Sequence, residues 1–344
     1  MKENFNIEQV RTDKWRESLD EYLFNPFRSI KMVQPIKTPK SYNNTKKIDL
    51  NIKNLNDFDW KGLASWRQSL LNELHDYLST HHLIKNRDVC LQFIGSIGSG
   101  DVVNYSDFDC IVILPLSTSM SDSKLRRVKG LIRKLSYYAY VFSEYQHHGI
   151  FVMTEAELLK GSPSLYPIKL FQSCWGYGLD CFYIRTNSTL SIDDKKLDWT
   201  VNWINSELTA DVHAEYSMFV FYNLLSVIFL MPAYYLNTKG IYLDKRESIE
   251  RVIRLQKEIE SDFLTVSSYR KEWPNKKNYR LRMLIYGIGL YFWKADTLAY
   301  FYRAVKWHFL KESRISSVEY QRVARLGQGI AQLLLKEKLR KFND

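Results

Sequence analysis

Two aspartates separated by a single residue, Asp107 and Asp109, are the side chains in this sequence best suited to chemistry. They stand just ahead of an apolar run, Cys110 to Leu114, that has the length and β-branched content of a buried strand. Because successive side chains of an extended segment point to opposite faces, both carboxylates project from one side and Phe108 from the other. Two like charges on one face repel each other, and a cation would offset that cost. Hard cations such as Mg²⁺ prefer such oxygen ligands, so the pair predicts a metal site.

A segment rich in glycine and serine lies shortly before the two aspartates. An apolar run from Leu91 to Ile94 leads into Gly95 and Ser96, and Gly98 to Gly100 follows as a second Gly-Ser-Gly. Glycines allow backbone N–H groups to form an anion-binding concavity, and a serine hydroxyl adds a donor. These residue types predict phosphate binding at Gly95, Ser96 and Ser99.

Residues 95–109, GSIGSGDVVNYSDFD, resemble the signature of the nucleotidyltransferase fold. DNA polymerase β, aminoglycoside nucleotidyltransferases, CCA-adding enzymes and bacterial defence synthases share this fold. The signature has Gly-Ser, a further glycine four positions after the serine, and Ser-Asp-x-Asp ahead of a hydrophobic strand, and this sequence matches it at Gly95-Ser96, Gly100 and Ser106 to Asp109. The match covers about 25 residues of the chain.

The resemblance implies an activity and its cofactor. Enzymes of this fold move a nucleoside monophosphate from a nucleoside triphosphate, NTP or dNTP, to a hydroxyl acceptor and release pyrophosphate. By resemblance, Asp107 and Asp109 would hold two Mg²⁺ ions, with Mn²⁺ as an alternative, and Gly95 and Ser96 would contact the phosphates of the nucleotide. In such a site the protein mainly supplies position and charge, and two metal ions stabilise the attacking and leaving oxygens.

The third acidic residue of the family has no clear match in this sequence. In the resembled fold it comes from a later strand, completes the metal site and commonly acts as base toward the attacking hydroxyl. Three residues are candidates for this position: Glu144, His148 and Asp180. A neutral imidazole can bind a metal or accept a proton near pH 7, so we expect His148 to be catalytic and leave Asp180 and Glu144 open.

Hydrophobic periodicity indicates the elements that must position these residues. It predicts helices from Trp60 to Leu78 and from Ser121 to Ala139, a strand from Val89 to Ile94, one or two strands from Tyr140 to Met153, and a strand around Asp180. Beyond residue 190 helical periodicity dominates.

The expected fold class is therefore α+β, with a nucleotidyltransferase-like mixed sheet and flanking helices followed by an all-helical domain. We expect an N-terminal arm with a short helix at residues 1–60, the catalytic domain at 61–190 and a basic helical domain at 191–344. The arm would pack on the main body or on another subunit, which leaves a homo-oligomer open.

The net charge of +11 lies almost entirely in the last third of the chain. Residues 241–344 contain 22 Lys and Arg against 12 Asp and Glu, whereas the first 240 residues contain 27 against 26. Such a surplus favours a polyanionic partner. Between Ser268 and Met283 basic residues alternate with Trp273 and two tyrosines, a pattern that attracts phosphates and stacks bases. It predicts a nucleic-acid or triphosphate contact at Arg270, Lys271, Lys276 and Lys277.

Residues 216–236 carry no charge, and these 21 residues are long enough to span a membrane. Asn223, Pro232 and four tyrosines interrupt them, so we expect a buried central helix that ends near Pro232 and no membrane insertion. The first 25 residues are polar and charged, and the four cysteines lack metal-ligand spacing. This pattern predicts reduced thiols in a cytoplasmic protein without a signal peptide.

The basic second half favours an oligonucleotide as acceptor or product, as in bacterial antiphage synthases that make nucleotide signals. A cationic aminoglycoside acceptor would need an acidic cleft, and the charge of the chain disfavours it. Two alternatives remain open: nucleotidylation of a tRNA or protein, as in minimal nucleotidyltransferase toxins, and a catalytically degenerate sensor that binds nucleotides or nucleic acid.

Overall fold

A computed structural model gives the fold of the chain. It describes residues 45–49, 60, 63–114, 122–143, 145–146, 150–154, 171, 175–178, 181–185, 191–209, 215–273, 283–284 and 314–340. In the first half the elements are β1 (Thr45–Asp49), α1 (Ser65–Thr80), α2 (His82–Lys85), β2 (Cys90–Phe93), α3 (Gly95–Ser99), β3 (Cys110–Leu114), α4 (Asp122–Phe142), β4 (Phe151–Thr154), β5 (Trp175–Tyr177) and β6 (Cys181–Arg185). In the second half they are α5 (Ser191–Thr209), β7 (Glu215–Ser217), α6 (Met218–Asn237), α7 (Lys245–Leu255), a 3₁₀ turn (Lys257–Ile259), α8 (Glu260–Lys271), β8 (Arg314–Ser316) and α9 (Ser317–Arg340).

A mixed sheet forms the centre of the first half. Within the described residues it has four strands in the order β4-β3-β2-β5. Strand β2 pairs antiparallel with both β3 and β5, whereas β3 and β4 are parallel. All residues of β2 and β3 are buried, as their short apolar runs indicate. The predicted α+β class with a mixed sheet is confirmed at this level.

Helices α1 and α4 share one hydrophobic core with this sheet. Leucines of α1 recur at helical spacing and are buried, and they meet Val128, Leu131 and Leu135 of α4 in the same cluster as Phe93 and Val112 of the strands. The predicted helix from Trp60 to Leu78 is thus confirmed with a later start. The periodicity of its leucines sets the face that covers the sheet.

The predicted arm contributes a strand to the first half. Strand β1 pairs antiparallel with β6 along its whole length, from Thr45 opposite Arg185 to Asp49 opposite Cys181. In the described residues these two strands form a separate two-stranded sheet. The strand expected around Asp180 is therefore present as β6, while Asp180 itself lies outside the described residues.

Helix α6 forms the centre of the second half. It packs against α5, α7 and α9, and its side chains form a second hydrophobic core that includes Leu225, Ile228 and Phe229. Ser217 caps the start of the helix by accepting a hydrogen bond from the backbone N–H of Val220 at 3.3 Å. The expectation that it ends near Pro232 is wrong: the helix continues to Asn237. Tertiary packing outweighs the hydrogen bond that the proline removes, because Tyr235 and Leu236 beyond it are buried in the core.

The apolar helix α6 is also the one described helix that is long and hydrophobic enough to cross a membrane. In the folded chain 56% of its apolar window is buried against other parts of the protein. This packing is typical of a central core helix, and it agrees with the expectation of no membrane insertion.

Two further expectations about secondary structure are corrected. The second half is not all-helical, because β7 pairs antiparallel with β8 immediately before α6 and α9 begin. Each of these strands has three residues, too few for a periodic pattern. Residues 140–142, expected as strand, form the last turn of α4. Val141 and Phe142 are fully buried there, so the apolar pattern that suggested a strand belongs to a buried helix end. The following strand is present as β4, and the predicted domain boundaries remain a prediction.

Candidate active site

The glycine-serine segment after β2 forms the five-residue helix α3. Gly95 opens this helix with a φ of +63°, a conformation that favours glycine. A Cβ at this position would lie 2.5 Å from Oδ2 of Asp109, so a larger residue would also have to displace that carboxylate. The backbone N–H of Ile94 donates to the carbonyl of Asp109 at 3.1 Å. The start of α3 is therefore fixed directly against the second aspartate.

The alternation predicted for Asp107, Phe108 and Asp109 is confirmed. Phe108 is fully buried and packs edge-on against Phe93, with ring centroids 5.6 Å apart, whereas both aspartates are half-buried. The side chain of Gln146 holds the backbone of Phe108 from both sides, accepting from its N–H at 2.8 Å and donating to its carbonyl at 3.0 Å. The phenylalanine anchors the segment, and both carboxylates remain on the other side.

Ser106, the serine before the aspartates, has a local structural role. Its hydroxyl accepts from the backbone N–H of Val103 at 3.0 Å, and its own N–H donates to the Val103 carbonyl at 2.9 Å. These bonds close a tight turn ahead of Asp107. They explain why a serine suits this position of the chain.

Helix α6 brings a tyrosine to the first aspartate. The hydroxyl of Tyr222 hydrogen-bonds Asp107. Burial raises the pKa of Tyr222 well above its ordinary value, and the negative charges of Asp107 and Asp109 raise it further. Tyr222 is therefore a neutral donor that can orient the Asp107 carboxylate.

Helix α7 brings a lysine to both aspartates. The charges of Asp107 and Asp109 both act on the amine of Lys245, so the amine lies near both carboxylates. The surrounding protein lowers the pKa of Lys245 by desolvation first and by the charge of Arg270 second, and the two aspartates partly oppose this. The residue is nevertheless exposed to solvent. We refer to the surroundings of Asp107, Asp109 and Lys245 as the cleft.

The start of α7 is held against the signature segment. Asp244 caps the helix by accepting from the backbone N–H of Glu247 at 2.8 Å. Arg246 forms an ion pair of 2.8 Å with Asp101, the residue that follows α3 and Gly100. Both partners are well exposed, so this pair contributes little stability, and it marks where the start of α7 meets the signature segment.

Arg270 is the one predicted nucleic-acid contact that the structure brings to this cleft among the described residues. Its guanidinium lies over the rings of Tyr105 at 5.2 Å and Phe229 at 4.8 Å, and its charge acts on Lys245. Lys271 is exposed on the same helix end, whereas Lys276 and Lys277 lie outside the described residues.

Trp273 does not offer an open face for base stacking, contrary to the expectation for this basic segment. It is 3% exposed and packs edge-on against Tyr105 and Tyr145, with ring centroids 5.0 and 5.2 Å away. Its large apolar surface is more stable inside the second core than at the surface. Trp273 therefore stabilises the wall of the cleft.

Ser96 and Ser99 were both expected to contact a nucleotide. Ser96 is half-buried in the first turn of α3, beside Gly95. Ser99 lies at the other end of this helix, where its hydroxyl donates to Asp101 Oδ2 at 3.2 Å and to the Ser96 carbonyl at 3.4 Å. Ser96 is thus the better placed of the two for a ligand beside Asp109.

The candidates for the third ligand, Glu144, His148 and Asp180, lie outside the described residues, so their roles stay predictions. In the part of the chain that the structure describes, no group of three or more His, Cys, Asp or Glu side chains could hold a metal ion. The described donor set is the pair Asp107 and Asp109, two half-buried carboxylates that face one cleft. Such an oxygen-only set suits a hard divalent cation that takes its remaining ligands from water and phosphate.

Tyr222 and Lys245 were not among the residues expected in the site. They follow the aspartates by more than 100 residues, and only the packing of α6 and α7 brings them near. A lysine after a helix-capping aspartate and a tyrosine in an apolar helix are common patterns that predict no site.

A comparison with protein-family models found no match for this chain, and a comparison with curated proteins also found none.

Proposed function

We propose that the chain is a Mg²⁺-dependent nucleotidyltransferase. The observation that supports this most is the contact between Gly95 and Asp109, which sets a glycine-serine helix start directly against one of two carboxylates on a common face. This arrangement offers donors for a phosphate group next to oxygen ligands for a cation. The residues involved are those through which the sequence resembles the nucleotidyltransferase signature.

Asp107 and Asp109 would hold the Mg²⁺. When bound, the ion supplies positive charge at the reacting phosphate and polarises its oxygens. Tyr222 orients one carboxylate through its hydrogen bond to Asp107, while the backbone around Phe108, held by Gln146, keeps both in register. The chain itself thus supplies a preorganised pair of ligands.

Lys245 and Arg270 would bind the triphosphate. The positive charge of Arg270 lowers the pKa of Lys245, so the two cations repel each other. A nucleoside triphosphate is a polyanion, and its phosphates would offset this repulsion. Lys245 acts as a point charge, whereas the rings of Tyr105 and Phe229 orient the planar guanidinium of Arg270. Because the charges of Arg270 and of both aspartates act on Lys245, these two cations would hold the phosphates near the metal ligands.

The acceptor that fits best is an oligonucleotide or another nucleotide. The surplus of basic residues after residue 240 favours a polyanion over a cationic small molecule. Defence signalling by a nucleotide product is the proposed biological setting, in the cytoplasm.

The test is incubation of the purified chain with each NTP and dNTP, with Mg²⁺ or Mn²⁺, in the presence and absence of short oligonucleotides. Pyrophosphate release and labelled products are measured together. The proposal predicts turnover with at least one nucleotide and its loss when a chelator removes the metal. Saturable nucleotide binding without pyrophosphate release under all conditions would instead identify a sensor. Transfer of label to tRNA or protein would show that one of these, and not an oligonucleotide, is the acceptor.

A further inference from the structure

A depression of about 390 Å³, open to solvent and called the cavity below, lies away from the candidate active site, between the end of α1, helix α2 and the outer face of α4. Its size falls in the range of small-molecule pockets. None of the residues that line it belongs to the group around Asp107 and Asp109. The proposed transfer reaction therefore does not account for it.

The charged lining of this cavity is entirely basic. The titratable nitrogen groups on its wall are five: His81, His82, Arg127, Arg133 and Lys134. Among the described residues that line it there is no aspartate or glutamate. Burial lowers the pKa of His81 first, and the charge of the neighbouring His82 lowers it further. Arg127, Arg133 and Lys134 thus bring three like charges to an open space, while the lowered pKa keeps His81 mainly neutral near pH 7, as a ring that can form hydrogen bonds.

These basic groups have few anionic neighbours. Lys134 is 4.0 Å from Glu73, and its amine also lies over the rings of Tyr137 and Tyr138. Within the described residues neither Arg127 nor Arg133 forms an ion pair, and the Nε of Arg133 is buried without a hydrogen-bond partner there. An unused buried donor costs free energy unless a ligand or a movement satisfies it.

A glycine keeps the cavity open. Gly130 lies in the middle of the 21-residue helix α4, where glycine is less favourable than alanine. A Cβ at this position would meet nothing within 4 Å, so packing does not require the glycine. Gly130 does not have a positive φ, so its backbone conformation does not require a glycine either. The missing side chain leaves room inside the cavity at a cost to the helix.

The remaining wall is apolar and aromatic. Leu83 and Leu131 are buried beneath the cavity, and the ring of Tyr77 stands edge-on to that of His81 with centroids 5.2 Å apart. The two leucines are already covered by protein, so the half-buried ring of Tyr77 is the aromatic surface that a ligand can reach. A ligand with a flat ring and an acidic group would use both parts of the wall.

We infer that this cavity is a binding site for a small organic anion that joins a flat ring to a phosphate or similar acidic group. The ring lies against Tyr77 in the space above Gly130, and the anionic group meets Arg127, Arg133 and the two histidines. This site is separate from the proposed nucleotide site, and its occupation does not depend on Asp107 or Asp109.

The test uses 1-naphthyl phosphate as probe, with inorganic phosphate and 1-naphthol as the two halves of the same molecule. Binding is measured by fluorescence and by calorimetry on the full chain without metal. The inference predicts that 1-naphthyl phosphate binds at least about tenfold more tightly than either half. Equal or weaker binding of the joined molecule would overturn it.

Variants locate the binding. Gly130→Leu fills the cavity with a good helix former, so it should weaken binding about tenfold or more while the melting temperature stays the same or rises. Arg127→Gln together with Arg133→Gln should weaken binding to a similar degree. Arg126→Gln is the matched control, because Arg126 is exposed on the same helix but does not line the cavity. Full affinity in the Gly130→Leu and Arg127→Gln/Arg133→Gln proteins, or an equal loss in the Arg126→Gln protein, would overturn the inference.

Discussion

The charge around the aspartate pair depends on single side chains from distant parts of the chain. Lys245 is the most informative of them, because its lowered pKa reports protein on several sides and a second cation, Arg270, nearby. A lysine with a lowered pKa in the folded state costs stability while it is charged, and it loses its charge as the pH rises through that lowered value. Such a group is retained at a cost, which is typical of a functional position.

Lys245→Met should therefore separate binding from stability. We expect the KM for the nucleotide to rise about tenfold at pH 7, since a charge-assisted contact to a phosphate is worth about 1.5–3 kcal/mol. The melting temperature should stay the same or rise, because the variant removes a desolvated charge. In the wild-type protein the KM should also rise as the pH increases through the lowered pKa of Lys245. The Lys245→Met protein should not show this rise of KM with pH.

The control for this experiment is Lys257→Met, which removes an exposed lysine shortly after α7. It should leave the KM unchanged. An equal KM in the Lys245→Met and wild-type proteins across pH would show that Lys245 does not contact the nucleotide.

At the scale of elements, the loop between α3 and β3 belongs to the core of the second half. Tyr105 from this loop is buried and stacks on Tyr222 of α6 with ring centroids 4.4 Å apart. Its hydroxyl donates to the Tyr222 carbonyl at 2.9 Å and lies 2.6 Å from the hydroxyl of Ser226. The signature segment is thus held between the sheet, through Phe108, and the helices, through Tyr105.

This packing predicts that the two halves unfold together. Tyr105→Phe should lower the free energy of unfolding by about 1–2 kcal/mol, because it leaves buried partners without their hydrogen bond. A double-mutant cycle with Ser226→Ala, followed by urea unfolding, should give a coupling energy of about 0.5–1.5 kcal/mol. Additive changes in the free energy of unfolding would contradict this account of the loop. Two separate unfolding transitions, of which the substitutions shift only one, would also contradict it.

At the scale of the whole molecule, local patterns predicted local structure well. The run Cys110 to Leu114 is strand β3 with these bounds, and the leucine spacing of α1 gives its buried face. The side-to-side alternation of the aspartates with Phe108 follows from the same rule. Each of these features depends on residues within a few positions of one another.

Features that depend on distant partners were not predicted. Helix α6 runs through Pro232 because the core beyond it stabilises the helix, and α4 continues through Phe142 for a similar reason. The cleft around the aspartates uses Tyr222 and Lys245, whose sequence neighbourhoods indicate only a buried helix and a helix start. Tertiary packing, which a single sequence does not display, decides all of these cases.

The measurement that tests the central claim most directly is the rate of pyrophosphate release at saturating nucleotide and Mg²⁺ in the Asp107→Asn and Asp109→Asn proteins. Each substitution keeps the size of the side chain and an acceptor oxygen, so the hydrogen bond from Tyr222 can persist while a negative charge is lost. We expect the rate to fall about a hundredfold or more in either protein, with a melting temperature equal to or slightly above that of the wild type without metal. Asp76→Asn, on the exposed face of α1, should leave the rate unchanged. Wild-type turnover in the protein that carries both asparagines would contradict the assignment of this pair as the metal ligands of a nucleotidyltransferase.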